Sequence, residues 1–200
     1  MVDACLLLGV DVMTAHWEMT LGAERVQDIV TNDFSGRIDF LAQNVKTYDL
    51  DDPVFEAFTI KEMNGVSVAV IGQAFPYTPI ANPSHLIPDW SFGIREYELQ
   101  QLVNRIRKQG IKVVVLLSHN GMDVDLKLAS RVTGLDAILG GHTHDGVPVP
   151  IIVPNRNGKT IVTNGGSNGK FLGVLDFAVS ASGITDFRYR LLPVFSKLIE

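Results

Sequence analysis

Five histidines stand in this chain of 200 residues, and four of them, His16, His119, His142 and His144, sit just after runs that read as buried β-strands. Strand ends in α/β proteins face a crevice, and loops there carry side chains on a rigid scaffold. Imidazole is largely neutral near pH 7, where it is the commonest metal ligand. The firmest signal is Gly140-Gly141-His142-Thr143-His144. Residues i and i+2 of an extended segment point the same way, so His142 and His144 are expected to face one centre. Gly140 and Gly141 remove side chains that would block a close approach. The plainer alternative is a pair of hydrogen-bonded loop histidines. His119 ends the most apolar run, Val113-Val114-Val115-Leu116-Leu117, and Ser118-His119-Asn120-Gly121 then turns into a helix. His16, in Thr14-Ala15-His16-Trp17-Glu18, is ambiguous alone, because a neighbouring Trp more often packs than reacts. His85 lies in a proline-rich loop with no partner motif and reads as a solvated loop residue.

An all-nitrogen donor set suits zinc, copper, nickel or iron, and added oxygens shift the choice toward manganese or magnesium. Two-metal hydrolases also need a bridging carboxylate to hold the ions about 3.5–4 Å apart. Asp-x-His and Gly-Asp-x-x-Asp, the motifs that would supply it, occur nowhere in the chain. The visible set is half a site.

The elements that must position these residues follow from periodicity and punctuation. Val2 to Leu8 reads as the end of a buried helix with Gly9 as its C-cap. Cys5, the single cysteine, reads there as a small buried hydrophobe. Val10 to Met13 reads as a short strand, Thr14 to Thr20 as a loop, Gly22 to Phe34 as a helix, and Arg37 to Val45 as another strand. Val54 to Met63 and Val66 to Gln73 are β-rich and joined by Asn64-Gly65, a strong hairpin signal. Ala74 to Asp89 is a long loop of the kind that often carries function. Ser91 is expected to cap a helix running to Gln109, with Leu99, Leu102, Val103 and Ile106 on one face and Gly110 as its stop. Val113 to Leu117 suits a strand buried on both faces. Met122 to Val132 reads as a helix and Ala137 to Leu139 as a strand. Pro150 to Pro154, Thr160 to Thr163, Phe171 to Val179 and Ile184 to Leu191 complete a β-rich end, with turns at Asn155 to Gly158 and at Gly183. The fold class is α/β, with helices packed on a layered β core.

Composition narrows the partners. The chain is 46% hydrophobic and 20% charged, ordinary for a domain with a sizeable core. Its net charge of −5 offers nothing to a polyanion, so nucleic acid is not expected. No run is long enough to span a bilayer, and one cysteine excludes an internal disulfide.

The order of motifs resembles the 5′-nucleotidase branch of the calcineurin-like metallophosphoesterases. That family runs Asp-x-His, Gly-Asp-x-x-Asp, Gly-Asn-His-Glu, a strand-end His, then Gly-His-x-His. The last three are matched by Ala15-His16-Trp17-Glu18, Ser118-His119 and Gly141-His142-Thr143-His144. The resemblance implies a metallophosphoesterase-type β-sandwich flanked by helices and incomplete at its N-terminus. Residues 1–195 would be the C-terminal portion of that domain, and residues 196–200 the start of a linker. The chain departs from a nucleotidase at His16-Trp17, where Asn-His is expected. There it is similar to the SoxB thiosulfohydrolases, as it is in Ser118 to Asp125, Gly140 to Pro148, Asn164 to Gly173 and Phe187 to Phe195.

This resemblance implies a periplasmic, monomeric hydrolase with two Mn2+, or other divalent metals. It would release sulfate from a cysteine S-thiosulfonate on the SoxYZ carrier protein. By family position His16, His119 and His142 would hold one metal, and His144 would complete the other with residues not present here. The chain alone would be inactive. A persulfide leaves as a weaker base than an alkoxide, so replacement of a catalytic His by Trp17 is tolerable. Trp17, Arg25 and Asn120 are candidates for the substrate pocket, with Asn44 a weaker one for orienting ligands. Packing explains Trp17, and a helix surface explains Arg25, at least as simply. The Asn164 to Lys170 loop is glycine-rich enough to approach an anion, although turn-making explains it too. Two other readings stand beside this one: a 5′-nucleotidase-like phosphoesterase acting on a small-molecule phosphate, and a metal-free binding module that kept the fold.

Overall fold

The computed structural model describes residues 2–195. The first half is made of short pieces: α1 (Val2–Leu7), β1 (Val12–Met13), a 3-10 turn at Trp17–Leu21, α2 (Ala23–Asp28) continuing into a π turn at Ile29–Asp33, β2 (Asp39–Phe40) and β3 (Lys46–Thr47). Next come β4 (Phe58–Met63), β5 (Val66–Gln73), α3 (Thr78–Ala81), β6 (Trp90–Ser91), α4 (Glu96–Lys108), β7 (Val113–Ser118), α5 (Met122–Arg131) and β8 (Ala137–Gly140). The chain ends in β9 (Ile151–Asn155), β10 (Gly158–Asn164), β11 (Phe171–Ser180) and β12 (Gly183–Pro193). The proposed linker at 196–200 lies outside the described residues.

The continuous apolar runs form the middle of a six-stranded sheet, ordered β4-β5-β7-β8-β10-β9. β5, β7, β8 and β10 run parallel, and the edge strands β4 and β9 are antiparallel to their neighbours. One face is covered by α4 and α5 through Leu99, Leu102, Val103, Ile106, Leu128 and Ala129. The other is covered by the β11–β12 hairpin, where Leu175, Phe177 and Val179 alternate inward onto Val68, Val113, Val115, Ala137 and Ile161. Helix layer, sheet and hairpin give the expected layered α/β architecture. A separate cluster around Met19, Val26, Phe40, Phe55 and Trp90 anchors the first half against the sheet.

Several boundaries differ from the sequence reading, each for a local reason. Ser91 does not cap α4. It pairs with Lys46 in a two-residue strand and accepts a hydrogen bond from Arg95 Nη2, and α4 starts after Arg95, whose φ is 47°. The helix at Val2 is amphipathic rather than buried: Val2, Cys5 and Leu6 pack inward on one stripe, while Leu7 and Leu8 are exposed. Arg37 to Val45 pairs regularly only at Asp39 and Phe40, then passes over β5, with Gln43 N–H donating to the Gly72 carbonyl. The Asn64-Gly65 hairpin is as expected, with both residues at positive φ, 51° and 77°.

Candidate metal centre

Three of the four strand-end histidines converge. The 3-10 turn at Trp17–Leu21 starts at His16, whose N–H donates to Glu18 Oε2 at 2.8 Å. β7 delivers His119, whose N–H donates to the Gln73 carbonyl and prolongs the β5–β7 ladder by one bond. His142 follows β8. His16 Nδ1 and His119 Nε2 are 3.1 Å apart. One ligand nitrogen from each of His16, His119 and His142 lies within 4.8 Å of the others.

His144 is not in this group. His142 and His144 have φ of 66° and 60°, so the segment is a tight turn and not an extended strand. The premise that residues i and i+2 point alike therefore fails, and His144 lies exposed at the rim. The turn is held by Thr143: its N–H donates to the Gly141 carbonyl, and its Oγ1 accepts from Met122 N–H at the start of α5. Asn164 Nδ2 also donates to the Gly141 carbonyl.

The electrostatics favour neutral imidazoles. Burial, with repulsion from neighbouring imidazoles, holds His16 and His119 down at about 4. Burial and His144 lower His142 as well. Such nitrogens keep a free lone pair at neutral pH, and their arrangement fits a divalent cation better than it fits three protons. Glycine makes room for it: a Cβ on Gly141 would stand 3.1 Å from His119 Nδ1.

Other expected residues fall differently. Trp17 is 69% exposed beside His16, with ring centroids 5.0 Å apart. Asn120 is buried behind His119, donating to Gln73 Oε1 at 2.7 Å. Arg25 spends its guanidinium on Asp28 and Asp33 on the helix surface, as the simpler reading of it held. Asn44 is fully used in backbone bonding to Ala74 and Gly93. The Asn164 to Lys170 loop has three residues at positive φ, Gly166, Asn168 and Gly169, which fits turn-making. His85 is exposed in its loop.

Two contributors escaped the sequence reading. Phe75, at the start of the proline-rich loop, stacks on His142 with centroids 3.9 Å apart and leans on His16 at 4.5 Å. Asp125 lies fully buried in α5, with Oδ1 accepting from Ser118 Oγ at 2.5 Å. A carboxylate three and four residues before the buried Leu128 and Ala129 was its readable signal.

No family model matches the chain. Over 96% of its length it superposes on the Thermus thermophilus sulfate thiohydrolase SoxB with a TM-score of 0.87 and 40% identity, spanning 34% of that structure. A 5′-nucleotidase precursor from Thermus thermophilus gives 0.82 and 25% identity over 96% of this chain and 40% of the other. A 5′-nucleotidase of Diplobatis ommata is 30% identical over 137 residues, covering 60% of this chain and 23% of that protein. The chain thus spans about a quarter of the curated relatives it matches first. No helix among the described residues is long and apolar enough to cross a membrane. Layered fold, motif order and both kinds of relative support one placement for this chain, the metallophosphoesterase/5′-nucleotidase superfamily.

Proposed function

We propose that this chain supplies the histidine half of a dinuclear-metal hydrolase that releases sulfate from a cysteine S-thiosulfonate on a SoxYZ-type carrier protein. The observation that carries the reading is the convergence of His16, His119 and His142, three neutral imidazoles from three distant parts of the chain. In this reading they hold one divalent ion, Mn2+ by family resemblance, and His144 reaches a second. Such ions, when bound, activate water and polarise the oxygens of an anionic substrate. The chain's own part is to hold the imidazoles unprotonated and to screen one side of them from water with Phe75. Exposed Trp17 then offers a flat surface at the rim for an incoming arm. The enzyme works in the periplasm as a monomer, and the chain alone, lacking a bridging carboxylate, is inactive.

Likeness to SoxB at 40% identity, against 25% for the bacterial nucleotidase, favours the thiosulfonate substrate. So does His16-Trp17 in place of Asn-His. A second reading, hydrolysis of a nucleoside monophosphate, draws on the curated relatives, which include several 5′-nucleotidases. Assaying the full-length protein with Mn2+ on carrier-bound thiosulfonate and on AMP separates the two. Sulfate release should dominate; faster phosphate release from AMP would transfer the conclusion to the second reading.

A further inference from the structure

Asp125 is a fully buried acid with one oxygen hydrogen-bonded and the other bare. Its Oδ1 accepts from Ser118 Oγ at 2.5 Å and from Asn120 Nδ2 at 3.5 Å. Its Oδ2 is buried without a partner, as is Asn120 Oδ1. A carboxyl in this state is costly, and an apolar residue would fill the gap between α5 and the sheet at less cost. Its location suggests what the cost sustains. Ser118 and Asn120 are the two residues flanking His119, and both bond to the same carboxylate oxygen. The opposite oxygen abuts the other turn of the site: a Cβ on Gly140 would lie 2.7 Å from Asp125 Oδ2. Gly140 stands two residues before His142.

We propose that Asp125 is a positioning residue that fixes the His119 turn relative to the His142 turn. The proposal rests on the reading of these histidines as metal ligands. The rest of the turn is already pinned from the β5 side. Gln73 accepts His119 N–H through its carbonyl and Asn120 Nδ2 through Oε1, and its own Nε2 donates to Gln43 Oε1 and the Ile94 carbonyl. Asp125 completes the clamp from the α5 side. Without it Ser118 Oγ loses its acceptor, Asn120 Nδ2 keeps only its contact with Gln73, and the gap beside Gly140 lets the two turns shift. Nitrogens held a few ångströms apart tolerate little of that, because a metal demands its ligands at fixed distances.

The test is Co2+ titration of the metal-free, full-length protein, reading the dissociation constant and the visible ligand-field spectrum. Thermal melts of the metal-free forms report folding separately. Asp125→Ala and Ser118→Ala should each weaken binding on the order of 10–100-fold and alter the spectrum. Both remove the Ser118–Asp125 bond, so the double variant should lose less than the sum of the two singles. Asp125→Asn, which keeps an oxygen for Ser118, should restore most of the affinity. Ser118→Ala leaves little void, so it decides the matter if Asp125→Ala does not fold. Variants that melt earlier yet keep the wild-type dissociation constant and spectrum would show a merely structural carboxyl and overturn the proposal. Wild-type protein that takes up no Co2+ would instead remove the metal-centre reading itself, and this inference with it.

Discussion

Phe75 lies nearly parallel to His142, ring centroids 3.9 Å apart and planes 23° from coplanar, and leans at 48° against His16. One buried aromatic from the loop after β5 thus braces two candidate ligands from distant parts of the chain. Phe75→Ala should cost about 3–5 kcal/mol of stability through the cavity it leaves. It should also loosen metal binding by roughly tenfold, since the rings lose their support. Phe75→Leu keeps much of the volume but not the stack, so its stability loss should stay below about 1.5 kcal/mol. Urea unfolding paired with metal titration checks both. Equal metal affinity in all three proteins would reduce Phe75 to a core residue.

Two sets of buried groups give the metal-free protein opposing pH slopes. Burial first, and then their neighbours, hold His16 and His119 down at about 4. They bind fewer protons folded than unfolded. The stability they contribute is complete above their ordinary value of 6.5 and drains as pH falls through about 4. Burial pushes Asp125 up to about 7, against the pull of its Ser118 and Asn120 hydrogen bonds. Its contribution is complete below 3.8 and drains as pH rises through about 7. Asp125→Asn should erase the second slope alone. Its melting temperature relative to wild type should climb across that window and level off above it, where the gain is on the order of a few kcal/mol. Melting curves of the two proteins that run parallel from acid to neutral pH would contradict this.

Trp17 is 69% exposed although its neighbour His16 is buried. Exposure of that much indole beside a candidate metal ligand separates two roles that a buried Trp would confuse. Trp17→Ala removes little packing, so stability should change by no more than about 0.5 kcal/mol. Metal stoichiometry should stay at the wild-type value. Turnover of carrier-bound thiosulfonate should fall, chiefly through a raised KM, if the indole receives the carrier's arm. Steady-state assays with intact carrier and with a small thiosulfonate resolve it. An equal loss on both substrates would place the effect at the chemistry instead.

The parts of the fold legible in sequence were those where one pattern had no competitor. β5, β7, α4 and α5 read clearly because long apolar runs and helical stripes have one way to be buried. Asn64-Gly65 read clearly because few dipeptides accept two positive φ values. The first half was harder, since its strands are two residues long and owe their geometry to distant partners, such as Lys46 to Ser91 and Leu41 to Glu56. At the site, His16, His119 and His142 were found by type and place. His144 was misplaced geometrically because His142 to His144 was read as an extended segment, whereas both histidines lie in the left-handed region. Phe75 was invisible because nothing local distinguishes a bracing aromatic from any other apolar residue before a proline.

Gly72 marks the seam where the two halves meet. Ala42 N–H donates to the Glu56 carbonyl just before β4, and Gln43 N–H donates to the Gly72 carbonyl of β5 at 2.8 Å. A Cβ on Gly72 would come within 2.3 Å of the Leu41 carbonyl oxygen and 2.4 Å of Leu41 Cβ. Backbone cannot swing aside as a long side chain can, so Gly72→Ala must part the first-half cluster from β5. The cost should be about 3 kcal/mol or more, at the upper end for overpacking. Because Gln73 follows directly and holds both His119 and Asn120, metal affinity should fall in the folded fraction too. Gly36→Ala is the control: its φ is 69° with nothing within 4 Å of the new Cβ, so only the left-handed backbone penalty of about 1–2 kcal/mol applies. Urea midpoints of the two variants, read beside their metal affinities, distinguish a clash at the seam from glycine's conformational freedom. If Gly72→Ala unfolds no earlier than Gly36→Ala, the close crossing of Leu41 over β5 is wrong.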